Sequence, residues 1–385
     1  MRNARTGEWR KCAKSNGDPG AIRTRDPQLR RLFRESCNLP VLLRYSEILV
    51  RSRSARKCHR VTRPTHFPVV DPADEGEAHG MTSTAFGATK TATVNGTTLA
   101  YREQGEGAPV VFIHGDISDL RTWQSQLPSI GASYRAITYS RRYARPNDDI
   151  EPGVDDPMLT HVDDLAALLQ AIDATPAHLV GNSWGGFISL LTAIRHPEVV
   201  RSLVLEEPPV LPLLGLSAPP RPVEVLSLLL RRPKTALVFA SLGVRLIAPL
   251  LSALRRGDDE TAMQTFFRAV VGRQSYARIP ESRLQQAREN TSTLRAQILG
   301  VGLPPLGEED VRGVSVPTLL ITGERSPPFL IRLTDRLEEL LPAVERNEIQ
   351  DASHLMHEDN PAAVNQAILD FVGRHAHRPM PPPLR

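Results

Sequence analysis

Residues 178–186 read His178-Leu179-Val180-Gly181-Asn182-Ser183-Trp184-Gly185-Gly186. The apolar run 178–180 suits a strand buried on both faces, and the helical stretch 186–195 follows directly. Between them lies Gly181-Asn182-Ser183-Trp184-Gly185. A serine confined to so tight a strand-to-helix turn has a strained backbone, and small neighbours let the main chain double back without a clash. The turn lifts the Ser183 hydroxyl above the sheet and leaves it at a helix amino terminus, where an oxyanion can be stabilised. The bland reading of the same residues is an ordinary glycine-rich turn.

The surrounding text places this turn inside a sheet. Upstream, 91–94 and 98–103 flank Asn95-Gly96, a strong hairpin signal, so two antiparallel strands open the domain. The apolar runs 110–113 and 136–139 read as buried strands, and helical stretches such as 156–172 alternate with them. That alternation implies a parallel sheet covered on both faces. Two further strands, 202–205 and 318–322, bracket a segment of another kind. Residues 210–310 are rich in Leu, Ala and Arg, with helix-like pieces and no clear strand. There Asp258-Asp259-Glu260 supplies an acidic first turn to a helix over 261–271. Beyond 322 the pattern predicts a helix over 329–341, a short strand at 344–349, a closing helix over 361–373 and a proline-rich tail, 378–385.

The 385 residues are 41% hydrophobic and 23% charged, as expected of a soluble globular chain. The net charge of +4 does not signal a nucleic-acid partner, because it is unevenly spread. Residues 1–80 hold 17 Lys and Arg against 9 Asp and Glu, whereas 81–385 hold 30 against 34. Cys12, Cys37 and Cys58 all fall in the first part. The main body therefore has no cysteine nucleophile, disulfide framework or thiolate metal site.

Residues 1–80 show no sustained apolar period, and 20–31 resemble a peptide that recurs where a reading frame runs through a transfer-RNA gene. The expectation is a basic, disordered or non-native extension, with translation starting at Met81; an arginine-rich RNA-binding arm is a lesser reading. The stretch 39–50 is broken by Arg44 and Glu47, which makes a poor signal-peptide core. In 235–254, twenty mostly apolar residues would be long enough to cross a bilayer, but Arg245 and Pro249 favour a cap helix. No membrane span is expected, the expected location is the cytoplasm, and a membrane-surface role for 235–254 stays open.

On these motifs the chain resembles the α/β-hydrolase superfamily. Val110-Val111-Phe112-Ile113-His114-Gly115-Asp116 is similar to that family's third strand and His-Gly turn, and Gly181 to Gly185 to its nucleophile turn. The resemblance implies a mostly parallel eight-stranded sheet with helices on both faces, a core formed by 81–209 and 311–377, and a helical cap at 210–310. It also implies that the backbone N–H groups of Asp116 and Trp184 form the oxyanion hole. A carboxylate at Asp116 would repel an oxyanion unless turned away or paired. His114 reads as a turn residue.

A serine hydroxyl needs a base. In the family the histidine follows the last strand, which points to His354 in Ile349-Gln350-Asp351-Ala352-Ser353-His354, with His357 in reserve; His161 and His196 read as helix-flanking residues without a partner. The orienting acid is less direct. The family commonly places an aspartate where this chain has Ser326. Glu207, in Leu205-Glu206-Glu207-Pro208, is the leading candidate, Glu324 the alternative acid and Glu206 the third, while the bland reading of the Glu206-Glu207 pair is a solvated loop. Arg142, in a loop bordering the site, could meet an anionic substrate group or belong to a surface charge cluster.

The resulting expectation is a serine hydrolase that cleaves an ester, lactone or related carbonyl compound through an acyl-enzyme on Ser183. Its partner would be a hydrophobic small-molecule substrate. No cofactor and no metal are expected, since the sequence holds no G-x-G-x-x-G before a helix, no H-E-x-x-H and no cysteine cluster. The alternative is a noncatalytic hydrolase-fold binding protein whose triad has decayed at Ser326. The oligomeric state is not legible.

Overall fold

The computed structural model describes residues 87–151, 153–217 and 221–376. The expectations for 1–80 and for the tail 378–385 lie outside the described residues. Eight strands form one sheet: β1 (Lys90–Val94), β2 (Thr97–Gln104), β3 (Pro109–Ile113), β4 (Arg135–Tyr139), β5 (Ala177–Asn182), β6 (Val200–Glu206), β7 (Thr318–Gly323) and β8 (Val344–Ile349). Their spatial order is β1-β2-β4-β3-β5-β6-β7-β8. The β1–β2 hairpin and the β2–β4 pair are antiparallel, and all remaining pairs are parallel. Asn95 and Gly96 make the hairpin turn, both with positive φ, the backbone that a two-residue turn of this kind requires.

The interior strands carry Val110, Val111, Phe112, Leu179, Val180, Val204, Leu205, Leu320 and Ile321, all fully buried. Unbroken apolar runs, rather than alternating ones, follow from cover on both faces. One face packs on helices Met158–Ala171 and Trp184–Arg195, and the other on Trp123, Leu127, Ile130 and helix Pro361–His375. Every predicted strand is present, with ends moved by one or two residues. Between β6 and β7 every described element from Leu211 to Arg312 is a helix, joined by turns and short loops, the predicted insertion. Its acidic turn forms as expected: Asp258 caps helix Asp259–Val270 by accepting the Thr261 N–H.

The insertion is fastened to the core by buried polar groups. Asp119, after β3, accepts from Gln286 (2.8 Å) and Asn290 (2.8 Å) of the insertion. Asp156 accepts from Gln297 (3.0 Å) and binds His161 (2.7 Å). His161 is therefore a buried, paired residue, and His196 meets Asp163 at 3.2 Å, so neither is unpartnered as read from sequence. Their partners are close in sequence, Asp156 five residues before His161 and Asp163 thirty-three before His196.

Candidate active site

The carboxyl ends of β3, β5, β6 and β7 and the loop after β8 converge on Ser183. The serine has φ 52° and ψ −118°, strained for a residue with a Cβ, and it leads straight into helix Trp184–Arg195. Its N–H donates to the Glu206 carbonyl (2.7 Å), which locks the turn to β6. A Cβ on Gly181 would stand 2.5 Å from the Gly185 carbonyl oxygen, and one on Gly185 only 2.2 Å from that of Ile113. Both glycines are thus steric requirements of the turn. Gly115 belongs to the same crowding: a Cβ there would meet Ser183 Cβ at 3.3 Å and Asn182 Oδ1 at 2.8 Å. The His114-Gly115-Asp116 turn accordingly lies against the serine.

The two adjacent glutamates each take one histidine. Glu207 Oε2 accepts from His354 Nδ1 at 2.7 Å, and its Oε1 accepts the Gly323 N–H at 3.0 Å. Glu206 Oε2 faces His357 Nδ1 at 2.8 Å and Asn182 Nδ2 at 3.2 Å. Neither glutamate is exposed, so they do not form a solvated loop. Glu206 ends β6, and Glu207 follows with φ 46°, a second strained residue at the site. Glu324 is elsewhere: it is exposed, and its carboxylate accepts the Asp351 N–H at 2.9 Å.

The donors can be counted. With Nδ1–H given to Glu207, neutral His354 keeps Nε2 as an open acceptor, the form able to take a hydroxyl proton. His357 differs. Its Nε2 lies 3.1 Å from the Thr122 hydroxyl, whose proton goes to Glu358, while its Nδ1 faces Glu206. With an acceptor facing each ring nitrogen, the arrangement favours the doubly protonated ring. Burial pulls its pKa down, but Glu206 and Glu358 outweigh burial and hold it above the ordinary value. Trp123 stacks on the ring with centroids 4.2 Å apart. Arg283 of the insertion completes the chain of charges, donating to Glu358 (2.9 Å) and to the Ile117 carbonyl (3.2 Å). Asn182, Thr122, Glu358 and Arg283 carry no motif; only Asn182, beside Ser183, could have been suspected from sequence.

Asp116 is paired with Arg141, whose guanidinium lies 3.5 Å from Asp116 Oδ1 and also donates to the His114 and Gly115 carbonyls. Burial pushes the Asp116 carboxyl up to about 7, with Arg141 opposing. The same burial, with Arg141 adjacent, holds His114 well below the ordinary imidazole range, and it stays a neutral turn residue accepting the Arg141 N–H. Arg142 is not available to a substrate, since it makes a forked pair with Asp164 at 2.7 and 2.8 Å.

A prediction follows for Asp116. Its folded pKa lies above its unfolded one, so folding favours the protonated acid. That contribution is complete below about pH 4 and is lost as pH rises through 7. Asp116→Asn should therefore leave Tm unchanged near pH 4 and raise it by a few degrees at pH 8. Thermal melts of both proteins across this range check it; parallel curves would show that the carboxyl titrates normally.

Ser183, His354, Asp116, Thr122 and Arg283 share one small cavity of about 20 Å³, roofed by Phe266, Phe267 and Val270 of the insertion. That is room for about one water. The insertion is thus a cap over the serine.

The comparisons agree with this architecture. A family profile described as alpha/beta hydrolase fold matches residues 108–361, and the chain belongs to that family. Epoxide hydrolase 3 of Xenopus tropicalis is 26% identical over 278 residues, covering 68% of this chain and 71% of that protein. The 2-hydroxymuconate semialdehyde hydrolase of Pseudomonas sp. is 36% identical over 115 residues, 27% of this chain and 37% of that one. Relatives of 36–39% identity are matched over only 34–40% of their own length. Among solved structures, a bromoperoxidase from Bacillus anthracis superposes with TM-score 0.58 at 21% identity, covering 74% of this chain and all of that one, a likeness of fold.

Proposed function

We propose that the protein is a serine hydrolase that cleaves an ester, lactone or related carbonyl substrate. His354 takes the Ser183 hydroxyl proton as the oxygen attacks the carbonyl carbon, and the N–H groups of Asp116 and Trp184 receive the oxyanion. The imidazolium so formed is stabilised by Glu207 and returns its proton to the leaving group. Water, activated by the same imidazole, then releases the acid and frees the serine. The observation that carries this reading is the 2.7 Å bond between His354 and Glu207: an acid orients the base although Ser326 stands where the family's aspartate is commonest. The substrate class is hydrophobic, because Phe266, Phe267, Val270 and Leu355 make most of the apolar wall beside the serine.

The test is a panel of p-nitrophenyl esters of graded acyl length, with rapid-quench mass spectrometry of the protein. A transient adduct of one acyl mass on the peptide bearing Ser183 is expected, with the fastest turnover on a short or medium chain. No turnover on any ester or lactone, or an adduct on another residue, would favour a binding protein or a different nucleophile.

A further inference from the structure

We propose that the outer face of the cap docks onto an anionic lipid surface. Helix Pro222–Arg231 and the helical run Pro233–Arg255 both seat inward on the protein: Leu228, Ala236 and Phe239 join the main core, and Leu246, Leu250, Ala253 and Leu254 the cap's own. The residues opposite are apolar too. Val223, Leu226, Leu230, Leu237 and Val244 are 57–79% exposed. Their spacing is helical, with Val223, Leu226 and Leu230 on one stripe and Leu237 and Val244 on another. Most of the strongly exposed large apolar side chains among the described residues fall in these 22 positions. An exposed patch of this kind marks a partner surface rather than a scatter of single residues.

Charge selects the partner. Residues 221–256 contain seven Arg and Lys and one acid, Glu224. Glu224 is engaged by the Ser217 hydroxyl and N–H and by the Arg221 N–H. Arg231, Lys234 and Arg245 are exposed. Next to Val244 opens a groove of about 950 Å³ with Arg245, Arg268, Arg273 and Arg325 in its lining and no acidic side chain there. Arg268 lies over the Tyr276 ring and Arg325 faces Asp351 at 3.5 Å, so part of that charge is already shared. An apolar face rimmed by cations is what a helix lying in the plane of a membrane presents, apolar side down and cations among the head groups. A second copy fits poorly, because a two-fold interface through this face would set the cationic rim against itself.

A crossing helix fits no better. Pro233–Arg255 is long and apolar enough to span, but only 28% of its most apolar window is buried. That buried part holds the cap together, and Arg245 would fall at midspan. The helix therefore lies on a surface and does not pierce it. This proposal does not rest on the catalytic reading; docking would be present whatever Ser183 does.

The experiment is flotation of the full chain with vesicles of phosphatidylcholine and phosphatidylglycerol, 3:1, and of phosphatidylcholine alone, in 0.1 M and 1 M NaCl. At least tenfold stronger binding to the anionic vesicles at low salt is expected, mostly lost in 1 M NaCl. Leu226→Asp with Leu230→Asp should abolish binding. Arg231→Glu with Lys234→Glu should weaken it by at least about fivefold for each cation lost. Both pairs sit on the exposed surface, and an unchanged Tm and circular dichroism spectrum verify folding. Three outcomes overturn the proposal: no preference for anionic vesicles; a dimer in light scattering that Leu226→Asp with Leu230→Asp converts to monomer without any vesicle binding; or retention on membranes through 1 M NaCl and alkaline carbonate, which would mean a spanning helix.

Discussion

Ser183→Ala should lower ester turnover by about 10⁴-fold or more and abolish labelling by a fluorophosphonate probe, with Tm within a few degrees of the parent. On the proposed mechanism, the size follows from removing the oxygen that would carry the acyl group while the rest of the site remains. Stability should barely move: the positive φ at this position is set by the neighbouring glycines and by the bond to the Glu206 carbonyl, and alanine keeps the Cβ. Labelling as strong in the variant as in the parent would place the nucleophile elsewhere.

Glu207→Gln should cost about as much, on the order of 10⁴-fold in kcat, for a different reason. Glutamine can still accept the Gly323 N–H, but the amide group facing His354 Nδ1 is now a donor. The imidazole must then carry its proton on Nε2, where it can no longer take one from Ser183. Glu324→Gln should change kcat less than twofold, since that carboxylate serves the Asp351 backbone at the surface. Steady-state kinetics on one good ester compares them. Full activity in Glu207→Gln together with loss in Glu324→Gln would reverse the assignment of the acid.

The sequence carried the sheet almost completely, because buried parallel strands advertise themselves as short apolar runs and the turn at Ser183 has a steric grammar of its own. His354 was legible from its place after the last strand. The glutamates were less so. The sequence puts Glu207 ahead of Glu324 and Glu206, but the division of labour, Glu207 on His354 and Glu206 on His357, comes with the change of backbone at Glu207 and its positive φ, which no residue type announces. The ionic chain through His357, Thr122, Glu358 and Arg283 was not legible, because its members lie up to 236 positions apart and each alone looks like an ordinary polar residue. The exposed outer faces of the cap were hidden for the opposite reason: leucines at helical spacing read as core, and nothing in the text says which side of a two-sided apolar helix has no neighbour.

A void that admits a single water cannot hold an ester. On the proposed ester chemistry, a substrate reaches Ser183 only when the roof of Phe266, Phe267 and Val270 moves aside. Asp119, Asp156 and Glu358 tie the neighbouring helices of the insertion to the core through Gln286, Asn290, Gln297 and Arg283, so any such movement must either break those buried bonds or pivot about them.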